Sequence, residues 1–283
     1  MPESLEAAAK VVAYMAILVA TGVAGAGWLL RRSNVEPSRA VAAQRRLDAM
    51  LLPAGTFLLA ATLVRAWAHT ASAFGMADAW SVENLQLIAL ESRWGAGWRL
   101  QAASALSVLV TGVALRIAPR GWTRWLAAAA AAAAVFAVPR TGHGAAEPYR
   151  WLLHGLHVAG AGLWAGTLLV LVALRGPALQ AQRPLLRSFA PMAAAGVALL
   201  AASGLVASWI YLGAWRNLYV TEYGLVLMLK VGLVAAMGAS GGINWLRLHR
   251  DAGNDVSRTV LAEAVLAVAV VVVTGWLTET AHP

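Results

Sequence analysis

Apolar residues run along this chain in eight blocks, separated by shorter polar stretches rich in arginine. The blocks are Ala8–Leu30, Leu47–Ala68, Gly95–Ile117, Trp122–Val138, Trp151–Leu174, Leu185–Leu212, Tyr223–Leu248 and Val256–Thr278. About 20 mostly apolar residues make one helical crossing of a bilayer. Inside hydrocarbon, an open segment satisfies its backbone only as a helix. The fourth block is an alanine run and the weakest of the eight by hydropathy. Little chain is left for a soluble domain. The pattern predicts an all-α fold, an integral membrane bundle of eight transmembrane helices forming one domain over residues 1–283. The first block follows Glu3 and Glu6 and carries no small-residue cleavage site, so it reads as a retained span and not as a cleaved signal.

Arginine sets the expected orientation. Arg31, Arg32, Arg39, Arg45 and Arg46 follow the first block, and Arg116, Arg120 and Arg124 the third. Arg175, Arg183 and Arg187 follow the fifth, and Arg247, Arg250 and Arg258 the seventh. Short arginine-rich loops stay cytoplasmic, which places both termini outside. Tryptophans near the block ends, such as Trp67, Trp94 and Trp151 outside and Trp122 and Trp125 inside, suit interfacial belts. The longest outer loop holds an amphipathic stretch, Ser81–Glu91, expected to lie on the outer surface.

Composition narrows the classes. Of the 283 residues, 60% are apolar and 12% charged, against roughly 45–50% and about 25% in a soluble domain. A soluble enzyme and a disordered chain are both excluded. There is no cysteine, which removes disulfides, iron–sulfur clusters, cysteine zinc sites and thiol catalysis. The net charge of +9 is accounted for by orientation and not by nucleic acid. No phosphate-binding glycine loop, HExxH or GxSxG occurs, so no enzymatic activity is expected.

The halves, 1–139 and 140–283, echo each other faintly. Val23-Ala24-Gly25-Ala26-Gly27 matches Val158-Ala159-Gly160-Ala161-Gly162, and Thr141-Gly142-His143 resembles Thr280-Ala281-His282. Two parallel four-helix repeats would give this order; chance matching in Ala/Gly-rich sequence is the alternative. If the repeat is real, His143 and His282 are equivalent positions.

Histidine carries the candidate chemistry. Five of the six (His69, His143, His154, His157 and His282) fall on or near the outer side, and only His249 is inner. His154 and His157 share one face of a helix at i, i+3, roughly 5–10 Å below its outer end at about 1.5 Å per residue. Ionisable groups at that depth are expensive and usually functional, and imidazole is the commonest metal ligand. The competing reading is that each packs and hydrogen-bonds a neighbouring helix. Met228, with Met15 and Met76, offers a thioether on the same side, a ligand suited to Cu(I) or simply an apolar filler. Three charges fall within spans. Arg65, near an outer end, reads as a snorkelling side chain. Lys230 would repel a cation held nearby, so it pairs with an acid or with backbone carbonyls, or sets the field near the site. Glu263 lies at a depth similar to that of Asn244, and a hydrogen bond between them would be structural; an ion exit or proton relay is the functional reading.

The second half resembles the CopD copper-resistance family of inner-membrane proteins. The residues are Gly142-His143, Leu156-His157, Trp164-Ala165-Gly166, Phe189-Ala190 and Ser203-Gly204-Leu205. The strongest block is Thr221-Glu222-Tyr223-Gly224 with Leu229-Lys230, followed by Asn244 and Leu261-Ala262-Glu263. The resemblance covers Thr141 to the C-terminus; the first half fits in span count and general character. It implies a bacterial inner-membrane protein with both termini periplasmic, moving copper ions from the periplasm toward the cytoplasm. It also implies a separate periplasmic CopC-like copper-binding partner. The expectation is then a metal site of His143, His154 and His157, with His69, His282 and Met228 contributing. Trp164, Lys230, Asn244 and Glu263 would line the path or gate. A copper-holding chaperone without transport, a haem-bearing electron carrier and a purely structural subunit remain alternatives.

Overall fold

The computed structural model describes residues 2–142, 147–174, 183–250 and 257–283. Eight helices are long and apolar enough to cross a membrane, one at each predicted block. They are α1 (Pro2–Arg32), α2 (Pro37–Phe74), α4 (Arg93–Ile117), α5 (Gly121–Ala137), the pair α6 (Pro148–Ala161) and α7 (Thr167–Ala173), α8 (Arg183–Leu212), α10 (Glu222–Arg250) and α11 (Ser257–Leu277). Two short helices join them, α3 (Val82–Gln86) and α9 (Asn217–Val220). No strand occurs among the described residues.

The helices overrun the apolar blocks because hydropathy marks the membrane and not the end of the backbone ladder. Thus α2 starts at Pro37, where Glu36 accepts from the backbone amides of Ser38 and Arg39, and not at Leu47. A proline at the first turn costs nothing, since its missing N–H would have had no helical partner. The predicted surface stretch Ser81–Glu91 becomes α3 followed by a π-helical turn, Leu87–Glu91. Ile88 turns inward while Val82, Leu87 and Leu90 stay exposed.

The bundle is built around α1, which touches α2, α5, α7, α8 and α11. Small residues let it do so, since apolar helices in lipid associate by close packing and not by hydrophobic exclusion. Ala13, Ala16, Ile17, Ala20 and Ala26 are all buried. Opposite Gly22 and Gly25, the α6–α7 span swells into a π-helical turn, Gly162–Gly166, whose backbone meets that of α1. By contrast α8 and α10 lie at the periphery. Only 17% of the most apolar stretch of each is buried, against 39–44% in the other six.

The structure corrects one expectation about charge. Arg65 does not snorkel. It is 3% exposed and its guanidinium donates to Gln101 Oε1 at 2.8 Å and Thr141 Oγ1 at 3.1 Å. Glu6 lies 3.8 Å away. At the other end of the bundle, Arg124 holds the buried Asp48 through both carboxylate oxygens, at 2.8 and 3.1 Å, and Gln44 adds a hydrogen bond at 2.8 Å.

Candidate metal site and intramembrane polar path

Two of the predicted histidines meet around one tyrosine. His154, two turns into α6, hydrogen-bonds the Tyr211 hydroxyl through Nε2 at 2.9 Å. His282, beyond the end of α11, stacks on the same Tyr211 ring with centroids 4.5 Å apart. Tyr223 closes the other edge of His282, at 4.7 Å and nearly perpendicular. Tyr223 is buried at the first turn of α10. That turn is shaped by the Thr221-Glu222-Tyr223-Gly224 block. The Thr221 hydroxyl caps Gly224 N at 3.1 Å, and a methyl on Gly224 would sit 2.1 Å from the Asn217 carbonyl of α9. Only glycine lets α9 fold back there.

His157 lies one turn deeper on the same face of α6. Its Nδ1 hydrogen-bonds the Ser203 hydroxyl of α8 at 3.1 Å. A Cβ at the adjacent Gly204 would come within 3.2 Å of the ring. Such a partner on one ring nitrogen is what orients an imidazole whose other nitrogen binds metal. Lys230 of α10 is close enough to act electrostatically on His157. It is half-buried, and no acid or carbonyl partner for it occurs among the described residues.

The remaining candidates lie apart. His69 stacks flat on Trp94 of α4 at 4.2 Å, beside Glu6, Lys10 and Arg65. Lys10 joins Glu6 to Glu279, so an ionic chain ties α1 to the segment that carries His282. Met228 is 39% exposed on α10. His143 lies outside the described residues. Among the described residues no three His, Cys, Asp or Glu side chains converge closely enough to hold a metal ion.

Deeper in the bundle, the hydrogen bond expected between Asn244 and Glu263 is present. Asn244 Nδ2 donates to Glu263 Oε2 at 3.0 Å. Trp164 Nε1, presented by the π-helical turn, donates to Glu263 Oε1 at 3.3 Å. All three side chains are at least 95% buried. Sequence reasoning did not assign Tyr211, Tyr223 or Ser203 to the site, although Ser203 and Tyr223 stand in the blocks that carry the family resemblance. A signal existed for two of them, because Ser203 and Tyr211 are eight residues apart and so lie on one stripe of α8, facing the i, i+3 histidines of α6. Nothing in the local sequence pairs Arg65 with Gln101 and Thr141.

These features define a polytopic helical membrane protein with an imidazole–tyrosine cluster at one end and a buried carboxylate below it. The chain belongs to the copper resistance protein D family. The profile described as "Copper resistance protein D-like, N-terminal domain" matches residues 1–151, and "Copper resistance protein D" matches 183–277. The first half thus carries specific family likeness and not only a shared span count. The chain is also 29% identical over 151 residues to "Copper transport protein CutJ" of Bacillus subtilis (strain 168). That match covers 50% of this chain and 28% of CutJ, so the chain spans less than a third of that relative. No solved structure matches.

Proposed function

We propose that this protein binds copper at its histidine-bearing end and passes it across the membrane toward the cytoplasm. The observation that carries this is the convergence of His154 and His282 on Tyr211, with His157 one turn deeper. On the arginine asymmetry, that end faces the periplasm. His143, which lies outside the described residues, is assigned to the same site from the sequence alone as a further imidazole. A separate periplasmic CopC-like protein would deliver the ion. In this reading the Lys230 charge keeps a cation at the outer histidines until the path opens. Trp164, Asn244 and Glu263 line the way to the arginine-rich end.

Metal analysis with an optical spectrum on the purified protein tests the site. Near-stoichiometric copper and no Soret band are expected, and a His154→Ala/His157→Ala/His282→Ala variant should lose the metal. Full copper retention in that variant refutes the site, and a Soret band would favour a haem protein. Tyr211→Phe keeps the stacking on His282 but removes the hydroxyl from His154. It should weaken copper binding by about 10-fold, the scale of losing a hydrogen-bonding partner of a metal-bound imidazole. Tight binding without accumulation in proteoliposomes would make the protein a copper holder and not a carrier.

A further inference from the structure

Among the described residues, the second half of the bundle hides one buried carboxylate with no cation within ion-pair distance. Glu263 is 4% exposed and lies six residues from the arginine-rich end of α11, about 9 Å at 1.5 Å per residue. Of the other acids in the bundle, Asp48 has Arg124, and Glu6 and Glu279 have Lys10. Among the described residues Glu263 accepts only from neutral groups, Asn244 Nδ2 and Trp164 Nε1.

The charges on the elements packed against it stand elsewhere. On α1 they are Glu3, Glu6 and Lys10 at one end and Arg31 and Arg32 at the other. On α10 they are Glu222 and Lys230 in the outer third and Arg247 and Arg250 in the last turn. On α11 itself Arg258 opens the helix, and α7 carries none. Among the described side chains, none of these is within ion-pair distance of Glu263.

A second, independent observation marks the same spot. Asn244 is 5% exposed, and its Oδ1 is buried without any hydrogen-bond donor. Turning the amide over offers no remedy, because it would set Oδ1 against the carboxylate and leave the NH2 group stranded instead. A buried acceptor without a donor is costly, and so is a buried anion without a counter-charge. Side by side, both deficits ask for positively polarised hydrogen. A proton on Glu263 with one accompanying water supplies it, neutralising the carboxylate while the water donates to Oδ1. A metal ion fits less well. Two of the nearest groups are N–H donors, which repel a cation. Glu263 and Asn244 together offer three side-chain oxygens, where hard cations such as calcium take six or more. Gly241 of α10 faces the carboxylate, and a methyl there would stand 3.0 Å from Oε1, tighter than ordinary contact.

We propose that Glu263 is a proton-binding site inside the membrane and that copper passage is coupled to its protonation, an inference that rests on the copper-carrying reading above. Coupling follows from charge along the shared path: protonation removes the negative charge of Glu263, so a copper ion passing through meets a different field in the two states without being held by the carboxylate.

Two measurements on the full-length protein test this. Infrared difference spectra of the purified protein between alkaline and acid pH should show a carboxylic-acid C=O band that is absent from Glu263→Gln. Asn244→Ala, which removes the neighbouring amide, should keep the band and shift its titration midpoint. In proteoliposomes, an imposed pH gradient should change wild-type copper uptake by at least about 5-fold, the lower end of ordinary coupling between sites. Glu263→Gln should take up copper at one rate with or without the gradient. Should that variant fail to fold, Glu263→Asp keeps the titratable group and should keep the gradient response. No pH-dependent band assignable to Glu263 would overturn the proton site, whatever copper does. Wild-type uptake indifferent to pH, or following a sodium gradient instead, would overturn the coupling. Absence of any wild-type copper uptake alongside a clear Glu263 band would instead refute the copper-carrying reading and, with it, the coupling.

Discussion

Replacing Gly22 with alanine tests whether the bundle is keyed by backbone contact between α1 and the π-helical turn of the α6–α7 span. A methyl built at Gly22 falls 2.1 Å from the Gly166 carbonyl oxygen, 2.4 Å from its carbon and 2.9 Å from Val170 Cγ2. Ordinary contact begins near 3.4 Å, so the two helices must part by more than 1 Å. Overpacking of a filled interior costs about 1–3 kcal/mol. Because the obstacle here is backbone, which cannot rotate away, about 3 kcal/mol is the appropriate end of that range. Removing a helical glycine returns about 1 kcal/mol, leaving a net loss of about 2 kcal/mol. Gly232 of α10 supplies the control, since a methyl there meets nothing within 4 Å and Gly232→Ala should gain about 1 kcal/mol. At about 2–4 °C per kcal/mol for a chain of this size, the two variants should differ by about 6–12 °C in thermal unfolding in one detergent. The displaced turn carries Trp164, so Gly22→Ala should also blue- or red-shift the emission of that buried indole. Equal melting of the two variants, or a more stable Gly22→Ala, would refute the contact.

Arg65→Ala should lower stability by about 3 kcal/mol, because removing one member of a buried ionic cluster leaves the others unpaired; melting of Arg65→Ala, Glu6→Ala and the double variant checks this, and strictly additive losses would contradict the coupling. The Glu36 carboxyl, drawn below the ordinary glutamate value chiefly by the Ser38 hydroxyl and then by the Ser38 amide, should titrate below a free glutamate by NMR. Its folded value being the lower one, its capping contribution is complete above the unfolded value and disappears as pH falls through the folded one, and Glu36→Ala should abolish that acid-side component.

Hydropathy alone placed all eight spans, because in lipid the cost of an unpaired backbone leaves the chain no other structure. The depth of a residue in its span also came from sequence. Counting residues along straight helices put Asn244 level with Glu263, and their hydrogen bond follows. What could not be counted was azimuth and neighbour. Whether Arg65 reached water or turned inward depended on Gln101 and Thr141, which lie 36 and 76 residues along the chain. Whether His282 stood near His154 depended on Tyr211 and on the ionic chain from α1 to Glu279. The sequence by itself therefore determined how many helices cross, where each polar group sits along its span, and which residue types could bind a metal. Only the tertiary structure decided which of those groups share a neighbour. Helix–helix contact in a bilayer is chosen by the fit of small residues such as Gly22 against Gly166, and no periodicity along one helix records the shape of another.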